Sequence, residues 1–122
     1  MKGRREEITR EALHDRLKKA FGVNRIFSEY GMTELFSQAY TRGETRFYAP
    51  PWMRVFIRDL YDPFSVGLEG LTGGINIIDL ANIHSVSFIE TADLGRVYSD
   101  GSFEVLGRID NSEVRGCNLL VE

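Results

Sequence analysis

The chain has 122 residues, with 15 Lys+Arg against 18 Asp+Glu, two His, one Cys and 43% apolar residues. That length suits one domain or part of a larger one. A net charge of −3 excludes a generally basic nucleic-acid binder, and a lone cysteine excludes a disulfide framework or a four-cysteine metal site. No apolar run is long enough to span a membrane, and the polar start does not read as a signal peptide. The expected class is a soluble, folded, cytoplasmic protein.

Charge is unevenly spread. Residues 1–25 carry a net +4 and residues 26–122 a net −7. A basic amino-terminal helix could dock onto an acidic partner or a phosphate, but a solvated helix face also carries such charges.

Residues 9–21 read as a helix. Thr9 suits the N-cap, Glu11 the first turn, Lys18 and Lys19 the last turn, and Gly22 the C-terminal stop. Leu13, Leu17, Ala20 and Phe21 fall on one face, which is expected to be buried. Residues 24–30 read as a short strand ended by Gly31, and 34–40 as a helical turn or loop. Residues 41–51 read as a loop, because Pro50-Pro51 is incompatible with a strand interior. Strand-like runs follow at 53–60, 75–80, 85–91, 96–99 and 102–108, with Asp100-Gly101 as the turn of the last hairpin. The expected class is therefore α+β: one helix and one strand, then a β-rich half. A lone helix ahead of a run of strands is expected to be the tail of a larger protein, with Met1 an internal methionine.

Ordinary catalytic sets are missing from the sequence. His14 and His84 have no partner at metal-ligand spacing, and lone histidines are more often structural or surface residues. Thr72-Gly73-Gly74 could be a phosphate loop, but reads more simply as a turn.

Three short segments are informative together. In Tyr30-Gly31-Met32-Thr33-Glu34, a glycine turn at a strand end lets backbone amides and the Thr33 hydroxyl approach a phosphate. Glu34 could hold Mg²⁺ on that phosphate, and Tyr30 offers a flat face to a purine. Thr33 and Glu34 would equally suit a helix N-cap and first turn. In the loop Thr91-Ala92-Asp93-Leu94-Gly95, a fixed carboxylate could accept from both hydroxyls of a ribose, although Asp93 would also suit a plain turn. In Gly107-Arg108-Ile109-Asp110, Arg108 could reach the same ribose or a phosphate with its planar donor fork, or lie on an exposed strand surface.

In this order and spacing the motifs resemble the adenylate-forming superfamily of acyl- and aryl-CoA ligases and luciferases. Ala92 departs from the glycine usual there, and the stretch between the first two motifs is short. The likeness extends through Leu35-Phe36-Ser37-Gln38-Ala39-Tyr40, Pro50-Pro51-Trp52-Met53, Ile75–Asn82 and Gly107–Cys117 to the acyl-protein synthetase (LuxE-type) branch. That resemblance implies an ATP- and Mg²⁺-dependent ligase that activates a fatty acid, or another carboxylic acid, as an acyl-adenylate. The acyl group would then pass to a cysteine near the C-terminus, with an acyl reductase or transferase as a possible downstream subunit.

By the same resemblance Tyr30 and Gly31 line the adenine pocket and Thr33 contacts the α-phosphate. Glu34 holds Mg²⁺ on ATP, Asp93 binds the ribose with Arg108 assisting, Asp110 is the hinge, and Cys117 is the acyl acceptor. A thiolate suits that last role, while a small buried hydrophobe is the ordinary fate of a lone cysteine. The whole of 1–122 would be one C-terminal fragment: the end of an α/β part in 1–40, a β-rich part in 53–110, and a hinge and tail in 111–122. Such a fragment is expected to be inactive alone and to self-associate through exposed apolar surface. Two alternatives stay open: a CoA ligase resembling phenylacetate–CoA ligase, and a non-catalytic α+β interaction module.

Overall fold

A computed structural model describes residues 8–109 apart from Pro63, Leu68 and Glu69. Asp110 and Cys117 therefore lie outside the described residues. The described residues are α+β, as expected: one α-helix beside a seven-stranded, wholly antiparallel sheet.

The helix α1 spans Arg10–Phe21 and begins and ends where its capping chemistry dictates. The Thr9 hydroxyl accepts from the Ala12 amide at 3.2 Å. At the other end Gly22 takes φ +65° while the Val23 amide reaches Lys18 O at 3.1 Å, closing carbonyls the helix leaves open. Burial differs from the expected pattern. Leu13 and Phe21 are 42% and 72% exposed, and Ala20 is exposed too. The residue buried instead is His14, whose Nε2 shares a 2.7 Å hydrogen bond with the Ser28 hydroxyl. Arg10 lies over the Phe47 ring at 4.7 Å. The helix thus turns these two polar side chains inward, while Leu17 of the apolar stripe is half-buried and Leu13, Ala20 and Phe21 stay exposed.

The strands are β1 (Glu29–Tyr30), β2 (Ala39–Thr41), β3 (Phe47–Tyr48), β4 (Met53–Arg58), β5 (Thr72–Asp79), β6 (Phe88–Val97) and β7 (Phe103–Arg108). Their spatial order is β1-β2-β3-β7-β6-β5-β4. A 3₁₀ turn, Leu80–Asn82, follows β5. Several boundaries correct the sequence reading. The strand expected over 24–30 shrinks to two residues. The segments expected as turn and loop over 34–51 supply β2 and β3, while Pro50 and Pro51 stay outside any strand. Thr72-Gly73-Gly74 opens β5 and is not a phosphate loop. Residues 88–91 and 96–97 of the runs 85–91 and 96–99 join in one ten-residue strand, so Asp93 stands within β6 and not in a loop. Long-range pairing overrides local turn signals here, because both neighbours of β6 satisfy its backbone groups.

Alternation selects the core. Met53, Val55 and Ile57 of β4 face Ile75 and Ile77 of β5 on one buried side, with Phe47, Val97 and Phe103 completing it. The Asp100-Gly101 turn forms as expected, with Gly101 at φ +86° and the Tyr98 amide donating to Ser102 O at 2.8 Å. No described helix is long and apolar enough to cross a membrane.

Candidate functional site

Tyr30 sits on β1, at one edge of the sheet, and Asp93 on β6, four strands away in spatial order. A flat sheet would separate those strands by about 19 Å. The Tyr30 hydroxyl nevertheless donates to Asp93 Oδ2 at 2.6 Å. The sheet is curled enough to bring its first and fifth strands into side-chain contact across the aromatic core. Two aromatic residues support the Tyr30 ring: Phe103 at 5.4 Å, nearly edge-on, and Phe47 at 5.9 Å, tilted.

This packing changes the reading of Tyr30. The residue is only 8% exposed, so the flat face expected to receive a purine is occupied by protein. Burial, then the hydrogen bond to Asp93, pushes its phenol well above the usual tyrosine range.

Asp93 is paired in register with Arg108 of β7. Arg108 Nε lies 3.8 Å from Asp93 Oδ1, with the arginine side chain 72% exposed and the aspartate 18%. Such a pair is screened by water and holds its geometry weakly. Below Asp93 the backbone is tied down: its amide donates to Thr91 Oγ1 at 3.0 Å, and Thr91 Oγ1 donates to Ile75 O at 2.8 Å. A bulge between Leu94 and Gly95 adjusts the register beside it.

An open cleft of about 500 Å³ lies between the turn after β1 and this part of β6, walled by Gly31, Met32, Glu34, Glu90, Asp93 and Arg108 among others. The structure thus gathers Gly31, Glu34, Asp93 and Arg108 around one space, with Tyr30 directly behind Asp93. Thr33 is exposed on the same turn but is not part of the wall. Three carboxylates face the cleft, Asp93 beside Arg108 and Glu90 with its Oε1 3.7 Å from Arg58 Nε, so the balance stays acidic and favours hydroxyl donors and cations over a bare polyphosphate. No cluster of three or more metal-ligating side chains occurs among the described residues. Glu34 and Glu90 are both exposed at the cleft.

Sequence reasoning missed what holds the Tyr30–Glu34 turn in place. Asp79, at the end of β5 and fully buried, accepts from the Phe36 amide at 3.0 Å, the Ser37 amide at 2.9 Å and the Ser37 hydroxyl at 2.8 Å. The Trp52 indole donates to the same Ser37 oxygen at 2.8 Å. Asn82 Nδ2 donates to Glu34 O at 2.8 Å and Val86 O at 2.9 Å. Burial alone would raise the Asp79 carboxyl, but the hydrogen bonds from Ser37, Ala81 and Phe36 outweigh it and hold the group below the usual carboxylate range. A signal was present in the sequence: 75, 77 and 79 alternate onto one face, which places a carboxylate at a core position beside two isoleucines.

Arg58 was missed as well. It is buried on β4, donating from Nη1 to Asn76 Oδ1 at 2.7 Å and Ile75 O at 3.3 Å, and from Nη2 to Thr91 O at 2.8 Å. A Cβ at Gly74 would collide with its guanidinium, which explains a glycine inside β5.

No protein-family model and no curated protein matches the chain. Solved structures do. A luciferase-like enzyme from the nonluminescent mealworm Zophobas morio aligns with 80% of this chain and 29% of its own, at 17% identity and a TM-score of 0.58. A benzoate CoA ligase from Burkholderia xenovorans LB400 aligns with 84% of this chain and 24% of its own, at 18% identity and a TM-score of 0.56. CmiS6 aligns with 87% of this chain and 32% of its own, at 22% identity and a TM-score of 0.57. The chain thus spans about a quarter to a third of the length of each. At these identities the likeness is one of fold: the described helix and curled sheet match part of the fold of each of these three proteins.

Proposed function

We propose that this chain supplies the nucleoside side of an ATP-dependent acid–thiol ligase, a fatty acyl-protein synthetase that forms an acyl-adenylate. The observation that supports this reading is the meeting of Gly31, Glu34, Asp93 and Arg108, from separate strands, around one cleft in a fold shared with a CoA ligase. In this reading Asp93 accepts hydrogen bonds from ribose hydroxyls and Arg108 assists. Gly31 lets the backbone lie close to the base, Thr33 reaches the α-phosphate, and Glu34 holds Mg²⁺ on the phosphates. ATP would supply the adenylyl group: the carboxylate oxygen bonds to the α-phosphorus as the α–β phosphoanhydride bond breaks and pyrophosphate leaves. Asp110 serves as a hinge and Cys117 as acyl acceptor, both outside the described residues.

The cleft's acidic balance argues that triphosphate neutralisation comes from elsewhere, since adenylation needs those donors placed together. The 122-residue chain alone is therefore expected to show no carboxylate-dependent pyrophosphate exchange. Turnover near that of an intact ligase would refute this. The nucleotide reading itself is tested by titrating AMP into the chain and following amide resonances. Saturable shifts at Gly31, Asp93 and Arg108 support it; no binding, or shifts confined to the opposite side of the sheet, overturn it.

Coenzyme A as acceptor is a second reading, favoured by the fold shared with a benzoate CoA ligase. In an active protein carrying this sequence, Cys117→Ser separates the two. Loss of covalent acyl labelling with adenylation intact supports the protein thiol, and undiminished thioester formation with coenzyme A supports the rival.

A further inference from the structure

The bond between Tyr30 and Asp93 joins two residues 63 apart in the chain and four strands apart in the sheet. A nearly buried phenol needs an acceptor, and many oxygens could serve. This one is a cleft carboxylate. The ring cannot swing toward the cleft, because Phe47 and Phe103 support it and its backbone is paired with Ala39. Asp93, by contrast, has only an exposed arginine to orient its other oxygen.

We propose that Tyr30 is a positioning residue whose hydroxyl fixes the Asp93 carboxylate for recognition of a vicinal diol, while its ring belongs to the core and does not stack on a base. The proposal rests on the nucleotide reading above. Anchoring Oδ2 removes the rotational freedom that Asp93 would otherwise lose on binding, and leaves Oδ1, on the Arg108 side, for the ligand. Tyr30 thus acts through Asp93 and touches no ligand itself. A stacking tyrosine would need only its ring, a positioning tyrosine only its hydroxyl.

Tyr30→Phe keeps the ring and deletes the hydroxyl, so calorimetric titration with AMP and with 2′,3′-dideoxy-AMP distinguishes the two roles. Tyr30→Phe is expected to weaken AMP about tenfold, the size of a charge-assisted hydrogen bond, and to leave dideoxy-AMP within about twofold. In an Asp93→Ala background the same substitution should change AMP binding no further. Equal weakening of both ligands, or unchanged AMP affinity, overturns the positioning role while leaving the nucleotide reading standing. Failure of the unsubstituted chain to bind AMP overturns both. Where circular dichroism shows Tyr30→Phe unfolded, the Tyr30 Cζ resonance of the unsubstituted chain decides. A shift on saturation with AMP but not with 2′,3′-dideoxy-AMP supports the proposal; the same shift with both, or none with either, overturns it.

Discussion

Asp79 and Ser37 lie 42 residues apart in the chain, yet the Ser37 amide and hydroxyl both donate to the one carboxylate, at 2.9 and 2.8 Å. Through this pair the end of β5 grips the turn that carries Gly31 and Glu34. A carboxylate used as a structural clamp is strong in place and costly to remove, because its donors are left in a dry site. Asp79→Ala is therefore expected to destabilise the chain by about 3 kcal/mol, read from urea unfolding.

The same carboxyl sets an acid limit. Its folded-state pKa lies below the unfolded value, so its contribution is complete above the unfolded pKa of about 4 and is lost as pH falls through the folded one. Urea midpoints measured from pH 7 to pH 3 should fall more steeply for the unsubstituted chain than for Asp79→Asn. Parallel profiles would show that Asp79 is not the controlling group.

Tyr30 sets the opposite limit. Its raised pKa means that the folded state keeps a proton that the unfolded chain releases near pH 10. Stability is thus fully present below that pH and declines as pH rises through it. Unfolding midpoints between pH 8 and pH 11 are expected to decline less for Tyr30→Phe than for the unsubstituted chain.

Arg58 and Gly74 form a steric pair, since the guanidinium occupies the space a Cβ would take. Gly74→Ala should destabilise by about 2 kcal/mol, and by clearly less in an Arg58→Ala background. The expected coupling is about 1 kcal/mol. Additive losses in the double-mutant cycle would contradict the assignment.

The helix stripe supplies a test of association. Leu13 and Phe21 are exposed, so Leu13→Gln should change the stability of the monomer by no more than about 0.5 kcal/mol. Exposed apolar patches favour self-association, and light scattering at micromolar concentration is expected to show oligomers that shrink in Leu13→Gln/Phe21→Gln. A monodisperse monomer would count against a homo-oligomer.

Local chemistry was legible from the residues alone wherever one segment decides its own conformation. Thr9 and Gly22 bound the helix as capping predicts, and Asp100-Gly101 turns the last hairpin. Only tertiary structure decided which side chains those segments bury. The helix turned its polar His14 and Arg10 toward the sheet, and the curl of the sheet buried the Tyr30 ring and aimed its hydroxyl at Asp93. Asp79 and Arg58 became clamps because their hydrogen-bond partners lie on strands and turns distant in the chain. Capping and turn propensities act over a few residues, whereas burial and long-range hydrogen bonding depend on how the strands come to lie side by side.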